Sequence, residues 1–513
     1  MSPLAFGLGL EKVAVRCRIP DREDRALREW VLEISNPGEG ERTIRFRKPS
    51  AALLKPLREY GQKVVELRRR GLVYPYELVK RLAPRQGTQA DRPAGTFAEH
   101  DLDTAGRLVP VDRPYGGNTA NLVVGVVRNL TARYPEGMAR VILLADPSRG
   151  AGALGEPECR RILAALDLAA ALGVPLEWFA ISAGGEDPDG AARVLRRIVE
   201  HTRAGGEINL VVHGLNTGAQ PFWNAAATTL LHTRGTLIMT PEGTMVLAAH
   251  ELVENAENAE GDIGDVGDAP GTPERLLGPH GPAQYFARDL GEACRLLLAH
   301  YEHTYRAPGE RFPRPAPTND PRDREIEGIS GIAEVGEASP ADEPPFEIRR
   351  LLAALADQDH PTLERWYGMR EAEVTVAWEA HLGGHPVCLL GFEAGTLFPR
   401  SAKKVARAIR ATSGNRPLVV LANLEGFDGS PESLRAGQLE YGAEIGRALV
   451  DFAGPIVLVT AGRCQDGVSL VFSPALNAGI EAVALGASPP AVPPARLRPY
   501  LIEAVERGMA RGG

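Results

Sequence analysis

The chain has 513 residues, of which 44% are hydrophobic and 24% are charged. This composition is typical of a globular protein, and the length predicts two or three domains rather than one core. The net charge of -8 argues against general affinity for nucleic acid. Charges or prolines interrupt the long apolar runs, and the N-terminus lacks a secretion pattern, so neither a membrane span nor export is expected. Five scattered cysteines indicate reduced thiols in a cytoplasmic protein, without disulfides or a metal site.

Residues 1–100 are predicted to form a small α+β module. The segments VAVRCRIP, REWVLEIS and TIRFRKP have the composition and alternation of three strands. A helix is predicted from about Leu53 to Arg70, because apolar residues recur there at helical spacing. Its basic end, followed by Gly71, is typical of a helix C-terminus on a solvated face.

Two longer regions follow the same order of elements. In residues 101–305 the strand VILLAD is followed by a Gly-rich loop, a helix, the strand LEWFAIS and a glycine turn, and a second helix leads to INLVVHG. In residues 349–513 the segments VCLLGF, SAKKVARAIRATSG, PLVVLANL and PIVLVTAG repeat that order. Wholly apolar strands indicate burial on both faces. Residues 306–348 are predicted to be a linker, because prolines and acids leave little apolar surface to bury.

The glycine turns at equivalent strand exits are candidate sites. Gly184 and Gly185 follow LEWFAIS, and Gly426 and Phe427 follow PLVVLANL. Glycine can leave backbone N–H groups pointing outward, and two such donors aimed at a thioester oxygen would stabilise an enolate. A plain strand-to-helix turn is the alternative interpretation of each.

Neighbouring residues add further alternatives. Asp428 or Ser430 could cap the helix predicted over PESLRAGQLEYGAEIGRALVDF. His213 could be a base, although a lone histidine at a strand end is more often structural. Second donors could come from the glycine turns at the next strand exits, which hold Gly214, Gly218, Gly462 and Gly467.

The segments GGEINLVVHGLNTGAQPFWNAAATTLLHTRG, AGTLFPRSAKKVARAI and GNRPLVVLANLEGFDGSPESLRAGQLEYGAEIGRALVDFAGPIV carry a family resemblance. They resemble the carboxyltransferase region of actinobacterial fused biotin-dependent acetyl- and propionyl-CoA carboxylases. The similarity covers most of residues 6–486, and residues 6–100 resemble the end of the family's central region. The resemblance implies an α/β fold of two tandem crotonase-like domains after the small module, which agrees with the repeat.

The resemblance also implies an activity. Carboxylate would pass from carboxybiotin to a short acyl-CoA through an oxyanion-stabilised enolate, as in fatty acid biosynthesis. The implied site combines the N-domain of one subunit with the C-domain of another, in a homodimer or hetero-oligomer. The implied backbone donors and site glycine are Gly184, Gly185, Gly426, Phe427 and Gly467. No covalent cofactor is implied, because Met-Lys-Met is absent, and biotin carboxylase and biotin carrier chains are the expected partners.

Four basic residues on one predicted helix are candidates for binding coenzyme A. A solvated helix face is the simpler interpretation, and contact with the coenzyme A phosphates near the helix N-terminus is the sharper one. The residues are Arg400, Lys403, Lys404 and Arg407.

The chain departs from the family pattern around both turns. Glu186 and Asp187 put acids into a shortened first loop, an acidic run occupies 251–268, and Asp466 replaces a glycine. Other shortened or replaced segments lie before Ala394 and after Gly486. A carboxylate beside an oxyanion hole opposes the charge that develops there. Three hypotheses therefore stand: an active carboxyltransferase, an inactive scaffold subunit, or a biotin-independent acyl-thioester enzyme.

Overall fold

The computed structural model of this chain describes residues 12–20, 25–35, 43–49, 58–85, 92–185, 187–246, 277–326, 348–369, 372, 374–393, 395–464, 470–485 and 491–511. The chain divides into two compact units, Met1–Leu72 and Val73–Gly513. Within the described ranges, no helix is long and apolar enough to cross a membrane. In the same ranges, no group of three or more His, Cys, Asp or Glu side chains could hold a metal ion.

The described part of the smaller unit contains an antiparallel sheet and a helix. Strands β1 (Lys12–Pro20), β2 (Leu27–Ser35) and β3 (Thr43–Arg47) are neighbours in that order. Helix α1 (Glu59–Arg69) follows and ends on basic residues. The three strands and the helix predicted here are confirmed, whereas residues 50–57, which include the predicted helix start, lie outside the described part.

The larger unit holds two main sheets, and the first has nine strands. These strands are β4 (Gly95–Leu102), β5 (Leu108–Pro110), β6 (Leu122–Asn129), β7 (Met138–Ala145), β8 (Leu176–Ala183), β9 (Ile208–Thr217), β10 (Leu237–Met239), β11 (Thr244–Met245) and β12 (Tyr285–Phe286). Their order is β12-β10-β9-β8-β7-β6-β4-β5, and β11 pairs with β9. The central strands β7, β8 and β9 run parallel.

Helices cover this first sheet and contribute side chains to its core. They are α2 (Pro75–Leu82), α3 (Glu156–Leu172), α4 (Pro188–Arg203), α5 (Gln220–Thr228) and α6 (Leu290–Thr304). Side chains such as Ile162, Ile198 and Trp223 pack against Val141 and its neighbours in one apolar cluster. The strand β7 is buried along its whole length, as expected for a parallel strand between helices.

The predicted domain boundary at residue 100 falls inside β4. This strand pairs antiparallel with β5 and with β6. The Tyr76 hydroxyl of α2 also donates a hydrogen bond to Glu99, at 3.1 Å. The segment from Val73 to β4 therefore belongs to the larger unit. The sequence of β4 does not indicate which sheet the strand joins, which is why the predicted boundary is displaced.

The second main sheet has six strands in the order β13-β14-β15-β17-β19-β20. These strands are β13 (Leu363–Arg365), β14 (Thr375–Leu382), β15 (His385–Phe392), β17 (Leu418–Leu424), β19 (Ile456–Cys464) and β20 (Ile480–Ala484). A separate pair consists of β16 (Thr396–Leu397) and β18 (Gly426–Phe427). The associated helices are α7 (Ile348–Leu355), α8 (Pro399–Thr412), α9 (Pro431–Arg435), α10 (Gln438–Val450) and α11 (Leu497–Arg511).

The two sheets repeat one plan, as the sequence predicts. Each begins with an antiparallel pair, β6 with β7 and β14 with β15, and continues with parallel strands. The pairing register shifts between Ala180 and Ser182 of β8, and it shifts between Ala422 and Leu424 of β17. The glycine turns follow at the same distance after each shift, so the two turns are structurally equivalent.

The segment predicted as a linker, 306–348, is fixed in its first half. Arg314 forms an ion pair with Glu136 at 2.6 Å, and Asp320 forms one with Arg498 at 2.9 Å. Residues 327–347 lie outside the described part. The prolines and acids in the described half do not build a core of their own. Instead, Arg314 and Asp320 tie this segment to the rest of the larger unit through ion pairs.

Candidate functional site

The first glycine turn connects β8 to α4. The φ angle of Gly184 is +98°, a conformation that residues with a side chain rarely adopt. A Cβ atom added at Gly185 would lie 1.9 Å from the carbonyl oxygen of Leu154. The backbone geometry therefore requires glycine at both positions.

The two N–H groups of this turn are not equivalent. The Gly184 N–H donates to the Ser182 hydroxyl at 3.1 Å, and the Gly184 carbonyl accepts from the Leu154 N–H at 2.8 Å. Among the described residues, the Gly185 N–H has no hydrogen-bond acceptor. The prediction of two available donors is thus corrected to one, at Gly185, because a local serine already engages the other.

Two cavities flank the first turn. One of about 530 Å³ lies between the turn and the aromatic side chains of α5, Phe222 and Trp223. The other, of about 650 Å³, lies on the side of Asn121 and Glu158. Leu154, Gly184, Gly185 and Gly218 line both cavities. The turn therefore forms the ridge between two spaces that ligands could occupy.

Asp187 brings a carboxylate to the first cavity. One of its oxygens, Oδ1, caps α4 by accepting the Gly190 N–H at 2.8 Å. The second oxygen, Oδ2, is buried, and no described group donates to it. The expectation of an acid beside the turn is confirmed for Asp187, and Glu186 lies outside the described residues.

The next strand exit contributes Gly218 but no accessible base. A Cβ atom added at Gly218 would lie 3.0 Å from the Cα of Gly184, so the two turns touch. His213 is buried against Phe179, and burial lowers its pKa to about 4. A neutral, enclosed imidazole fits the structural alternative for His213.

The second glycine turn lies at the end of β17, where β18 pairs with β16. A Cβ atom added at Gly426 would meet nothing within 4 Å, and the ring of Phe427 lies over Gly442. A cavity of about 470 Å³ opens here, between β16, β18 and the first turns of α10. Leu470 and Val471 close its other side.

The helix after the second turn is broken. Ser430 caps α9 by accepting the Ser433 N–H at 3.2 Å, and the Ser430 hydroxyl itself donates to Asp428 at 2.5 Å. The single long helix predicted here is in fact two helices, because Gly437 adopts a φ of +89° between α9 and α10. After this break α10 begins at Gln438, which lines the cavity.

The two turns do not share a cavity. Among the described residues, none that lines either first-turn cavity also lines the second-turn cavity. Gly462 lies within β19, and Gly467 lies outside the described part. A site that used both turns would therefore have to combine two separate cavities.

Comparison with models of protein families identifies the family of this chain. The model of the carboxyl transferase domain matches residues 116–488, which include both turns and the described strands of the two main sheets except β4 and β5. The chain belongs to the carboxyl transferase family. The carboxyltransferase interpretation drawn from the sequence is thereby confirmed at the level of the family.

Two relatives of this carboxyl transferase come from Saccharomyces cerevisiae. A mitochondrial acetyl-CoA carboxylase is 28% identical over an alignment of 180 residues that covers 27% of this chain. An acetyl-CoA carboxylase is 30% identical over an alignment of 146 residues that covers 23% of this chain. The matched stretches span 8% and 6% of the lengths of those two proteins.

A solved structure has the same fold. The crystal structure of transcarboxylase 12S, a hexamer described with methylmalonyl-coenzyme A and methylmalonic acid bound, superposes with a TM-score of 0.68 at 16% identity. The similarity covers 88% of this chain and 92% of that chain. The crotonase-like α/β fold expected from the sequence is confirmed.

The basic helix α8 of this carboxyl transferase is mostly internal. Lys404 and Arg407 are each only 2% exposed. Arg407 donates to the carbonyl oxygens of Gly281 and Thr228, and its guanidinium lies 5.0 Å from the centre of the Trp366 ring. Burial lowers the pKa of Arg407 to about 9. Arg407 therefore joins the two halves of the unit and is not placed to bind a phosphate.

The other members of the basic set differ in position. Lys404 lies 4.0 Å from Glu364, and burial lowers its pKa to about 8, so it too is an interior group. Lys403 is half-buried over the Tyr441 ring, 5.9 Å from its centre. Arg400 lines a cavity of about 390 Å³ beside α9. Neither the solvated face nor the phosphate interpretation holds for Lys404 and Arg407.

The sequence interpretation misses one polar residue at the second turn. Gln438, the first residue of α10, is 3% exposed and lines the cavity with Gly426 and Phe427. Among the described residues, neither Nε2 nor Oε1 of its amide has a hydrogen-bond partner. A glutamine within an apparently continuous helix is an ordinary surface pattern, so no sequence signal marks it.

Proposed function

We propose that this chain is the carboxyl-transfer component of a biotin-dependent acyl-CoA carboxylase of the kind found in actinobacterial fused enzymes. The supporting observation is the pair of equivalent strand-end turns, each beside a cavity, in a member of the carboxyl transferase family. Cavities of about 300–1,000 Å³ are typical of small-ligand sites. Two cavities suit a reaction that brings two substrates together.

The proposed reaction exchanges one bond for another. The N–C bond to the carboxyl group of carboxybiotin breaks, and a C–C bond forms at the α-carbon of a short acyl-CoA. The α-proton passes to the ureido nitrogen. The Gly185 N–H donates to the thioester oxygen as negative charge develops on it, and the backbone at Gly426 and Phe427 does the same for the ureido oxygen. Donors held by the fold need no reorganisation in the transition state.

Coenzyme A is proposed to contact the N-terminal turn of α8. Arg400 lines the cavity beside α9, and Lys403 is only half-buried. A helix N-terminus and cations together favour phosphate groups. Lys404 and Arg407 are excluded from this role by their burial.

The proposed site is completed by a second subunit. Apolar side chains stand at the rims of both cavities: Phe222 at the first, and Leu439 and Leu470 at the second. All three are exposed, and Leu439 is 77% exposed. Covering such side chains stabilises an interface, so a homodimer or a hetero-oligomer is proposed. Biotin carboxylase and biotin carrier chains are the proposed suppliers of carboxybiotin.

A catalytically inactive scaffold subunit is the second candidate. The unpaired Asp187 carboxylate favours it, because a negative charge beside the Gly185 N–H opposes an enolate. The Gly184 N–H already donates to the Ser182 hydroxyl, and this also favours an inactive subunit. Such a subunit would retain the fold and the interfaces without turnover.

Carboxyl transfer in the reverse direction tests the proposal. The purified full chain is mixed with malonyl-CoA or methylmalonyl-CoA and free biotin, and acyl-CoA release is followed by chromatography. Biotin-dependent release that avidin suppresses supports the carboxyl transferase. Release that is indifferent to avidin supports the biotin-independent enzyme. The absence of release, with co-purification of an active homologue, supports the scaffold.

A further inference from the structure

A cavity of about 280 Å³ lies at the edge of the first sheet opposite to the glycine turns. Pro175 and Glu207, the residues just before β8 and β9, border this cavity, whereas the turns follow the other ends of the two strands. The eight residues of β8 span roughly 26 Å. Asn415, shortly before β17, also borders the cavity. Its wall therefore combines the half of the larger unit that holds the first sheet with the half that holds the second.

Two arginines bring positive charge to this cavity. Arg234 and Arg306 line it, and each is partly exposed. In the described ranges neither forms an ion pair, and both guanidinium groups donate to carbonyl oxygens. Arg234 donates to Gly205 at 3.4 Å, and Arg306 donates to Gly414 and Arg311 at 2.9 and 3.3 Å. A guanidinium carries five N–H donors, so most donors of both arginines are left for a ligand.

The two guanidinium groups meet at Gly414. Arg306 donates to the carbonyl oxygen of this glycine, and a Cβ atom added to it would lie 3.1 Å from Nη2 of Arg234. Burial and repulsion from Arg306 lower the pKa of Arg234, and the attraction of Glu207 does not offset them. Like charges in a partly buried place repel each other, so this pair of arginines is unfavourable until an anion joins it.

The other polar groups of the wall have partners within the protein or carry no charge. The Glu207 carboxylate lies 3.2 Å from Nε2 of His300, and the Asn415 amide donates to the Thr304 carbonyl at 2.8 Å. His201 is buried, and burial lowers its pKa to about 4, so it is neutral near pH 7. Two guanidinium groups and one carboxylate give the described wall a net charge of +1.

Helix capping is the structural alternative for each arginine. Gly205 follows the end of α4, and Gly414 follows the end of α8. Cations near the carbonyl oxygens of a helix C-terminus are favourable. Capping accounts for one N–H donor of Arg234 and for Nη1 of Arg306. It does not account for two cations that converge on one cavity without a carboxylate to pair with either.

We propose that Arg234 and Arg306 form a binding site for a phosphate group in this cavity. A phosphate dianion balances two cations, and its oxygens accept the forked N–H pairs that guanidinium groups present. Inorganic phosphate and a small phosphate monoester share this chemistry. A phosphate group bound here contacts side chains beside both halves of the larger unit, so it stabilises the folded chain.

This site is separate from the proposed contact with coenzyme A. Gly414 and Asn415 follow the C-terminus of α8, whereas Arg400 lies in its first turn. The 14 residues of this helix span roughly 20 Å. The phosphate site therefore does not rest on the proposed function, and its test needs no turnover.

Isothermal titration calorimetry measures the binding directly. The full chain is titrated at constant ionic strength with inorganic phosphate and with glycerol 3-phosphate. Saturable binding of either is expected, and the tighter of the two identifies the source of the phosphate group. Arg234→Met and Arg306→Met should each weaken it about tenfold or more, because hydrogen bonds between charged groups are lost. No saturable binding of either ligand by the parent chain overturns the proposal, and so does unchanged affinity in both variants.

Two further arms protect this test. Circular dichroism checks that each variant folds, and Arg234→Lys keeps the charge but loses the fork, so its affinity should lie between those of the parent and Arg234→Met. Saturating coenzyme A should leave phosphate binding unchanged. Loss of phosphate binding in the presence of coenzyme A would assign the phosphate to the substrate site and overturn the proposal.

Thermal unfolding gives an independent readout. Sodium phosphate should raise the midpoint temperature of the parent chain above its value in sodium chloride at the same ionic strength, and this shift should vanish in Arg234→Met and Arg306→Met. Arg288→Met is the matched control, because Arg288 pairs with Glu292 on the surface and its side chain is 84% exposed. This control should keep the full shift. An equal shift in all four proteins would be a general salt effect and would contradict a phosphate site at these arginines.

Discussion

The carboxylate of Asp187 caps α4 through the Gly190 N–H, at 2.8 Å, and leaves its second oxygen unpaired beside the turn that holds Gly185. One side chain thus stabilises a helix and places a negative charge in a candidate site. The two effects can be separated, because asparagine caps helices about as well as aspartate but carries no charge.

Replacing Asp187 by asparagine is expected to accelerate carboxyl transfer. The N-cap is retained, while the repulsion between the carboxylate and the developing enolate charge is removed. We expect an increase in kcat of about tenfold, which corresponds to ~1.4 kcal/mol, with little change in the thermal midpoint. Steady-state assays and thermal unfolding measure the two effects. The control is Asp289→Asn, since Asp289 caps α6 through the Glu292 N–H at 2.7 Å. Equal or slower transfer by Asp187→Asn would contradict the repulsion argument.

Alanine at the two glycine turns is expected to have opposite consequences for stability. At Gly185 the new methyl group would collide with the Leu154 carbonyl, and such overpacking costs about 1–3 kcal/mol or more. At Gly426 it would meet open space, so the free energy of unfolding should stay the same or rise by up to ~1 kcal/mol. Urea unfolding followed by circular dichroism measures both. Equal destabilisation of the two variants would show that the turns are less different than their surroundings indicate.

Removing Arg416 is expected to be among the most damaging single changes. Arg416 and Glu379 form an ion pair in which both side chains are almost fully buried, and Arg365 lies 3.5 Å from the same carboxylate. Arg416→Met leaves a buried carboxylate under-compensated, so we expect a loss of about 3–5 kcal/mol in the free energy of unfolding.

A double variant tests this explanation. Adding Glu379→Leu to Arg416→Met removes the stranded charge and should restore most of the lost stability. The exposed pair of Arg196 and Glu200 supplies the control, because breaking it should cost less than ~1 kcal/mol. If the double variant is as unstable as the single one, packing rather than charge is responsible.

Stability is expected to decline as the pH falls below neutrality. The rings of His303 and His381 are tilted by 44° with centroids 4.8 Å apart, and burial, followed by repulsion from His303, lowers the pKa of His381 to about 2. Burial also lowers the pKa of His303 to about 3. Both remain neutral in the fold, whereas the unfolded chain takes up protons below a pKa of about 6.5. Each therefore removes up to ~1.4 kcal/mol of stability per pH unit below that value.

The histidine prediction is tested with His381→Phe. Urea unfolding at about pH 7, 6 and 5 should show a shallower decline in this variant than in the parent chain, because one protonation of the unfolded state is lost. His280, which is exposed, provides the control, and His280→Gln should leave the pH dependence unchanged. Identical slopes in all three proteins would place the acid sensitivity elsewhere.

The basic residues of α8 are expected to divide into two groups. Arg407→Met should lower the thermal midpoint, because the carbonyl oxygens of Gly281 and Thr228 lose their donor, and the KM for acyl-CoA should be unchanged in the folded fraction. Arg400→Met and Lys403→Met should raise that KM several-fold, more strongly at low ionic strength. If Arg407→Met raised the KM for acyl-CoA and the other two variants did not, Arg407 would again be the candidate phosphate ligand.

The sequence predicts the repeated strands and the positions of both turns correctly. Wholly apolar segments such as VILLAD and PLVVLANL leave little choice of structure, and glycine marks the places where the backbone must turn tightly. The family resemblance then supplies the assignment to a carboxyltransferase. These features depend on residues close together in the chain, which is why they can be read from it.

The features that the sequence does not predict depend on distant partners. Arg407 looks like a surface cation until the fold brings it to the carbonyl of Gly281, far away in the chain. The helix break at Gly437 sets the start of α10 at Gln438, although helical spacing continues across it. The engagement of Gly184 by Ser182 is local, but it depends on a register shift between strands.

The equivalence of the two turns has a practical consequence. Every experiment on one of them has an internal reference in the same polypeptide, at the same strand end and after the same shift in pairing. Gly185 can be compared with Phe427, and Asp187 with Ser430, at one concentration, temperature and salt condition. A perturbation that affects both turns reports on the shared scaffold, and one that affects a single turn reports on the chemistry that the copies do not share.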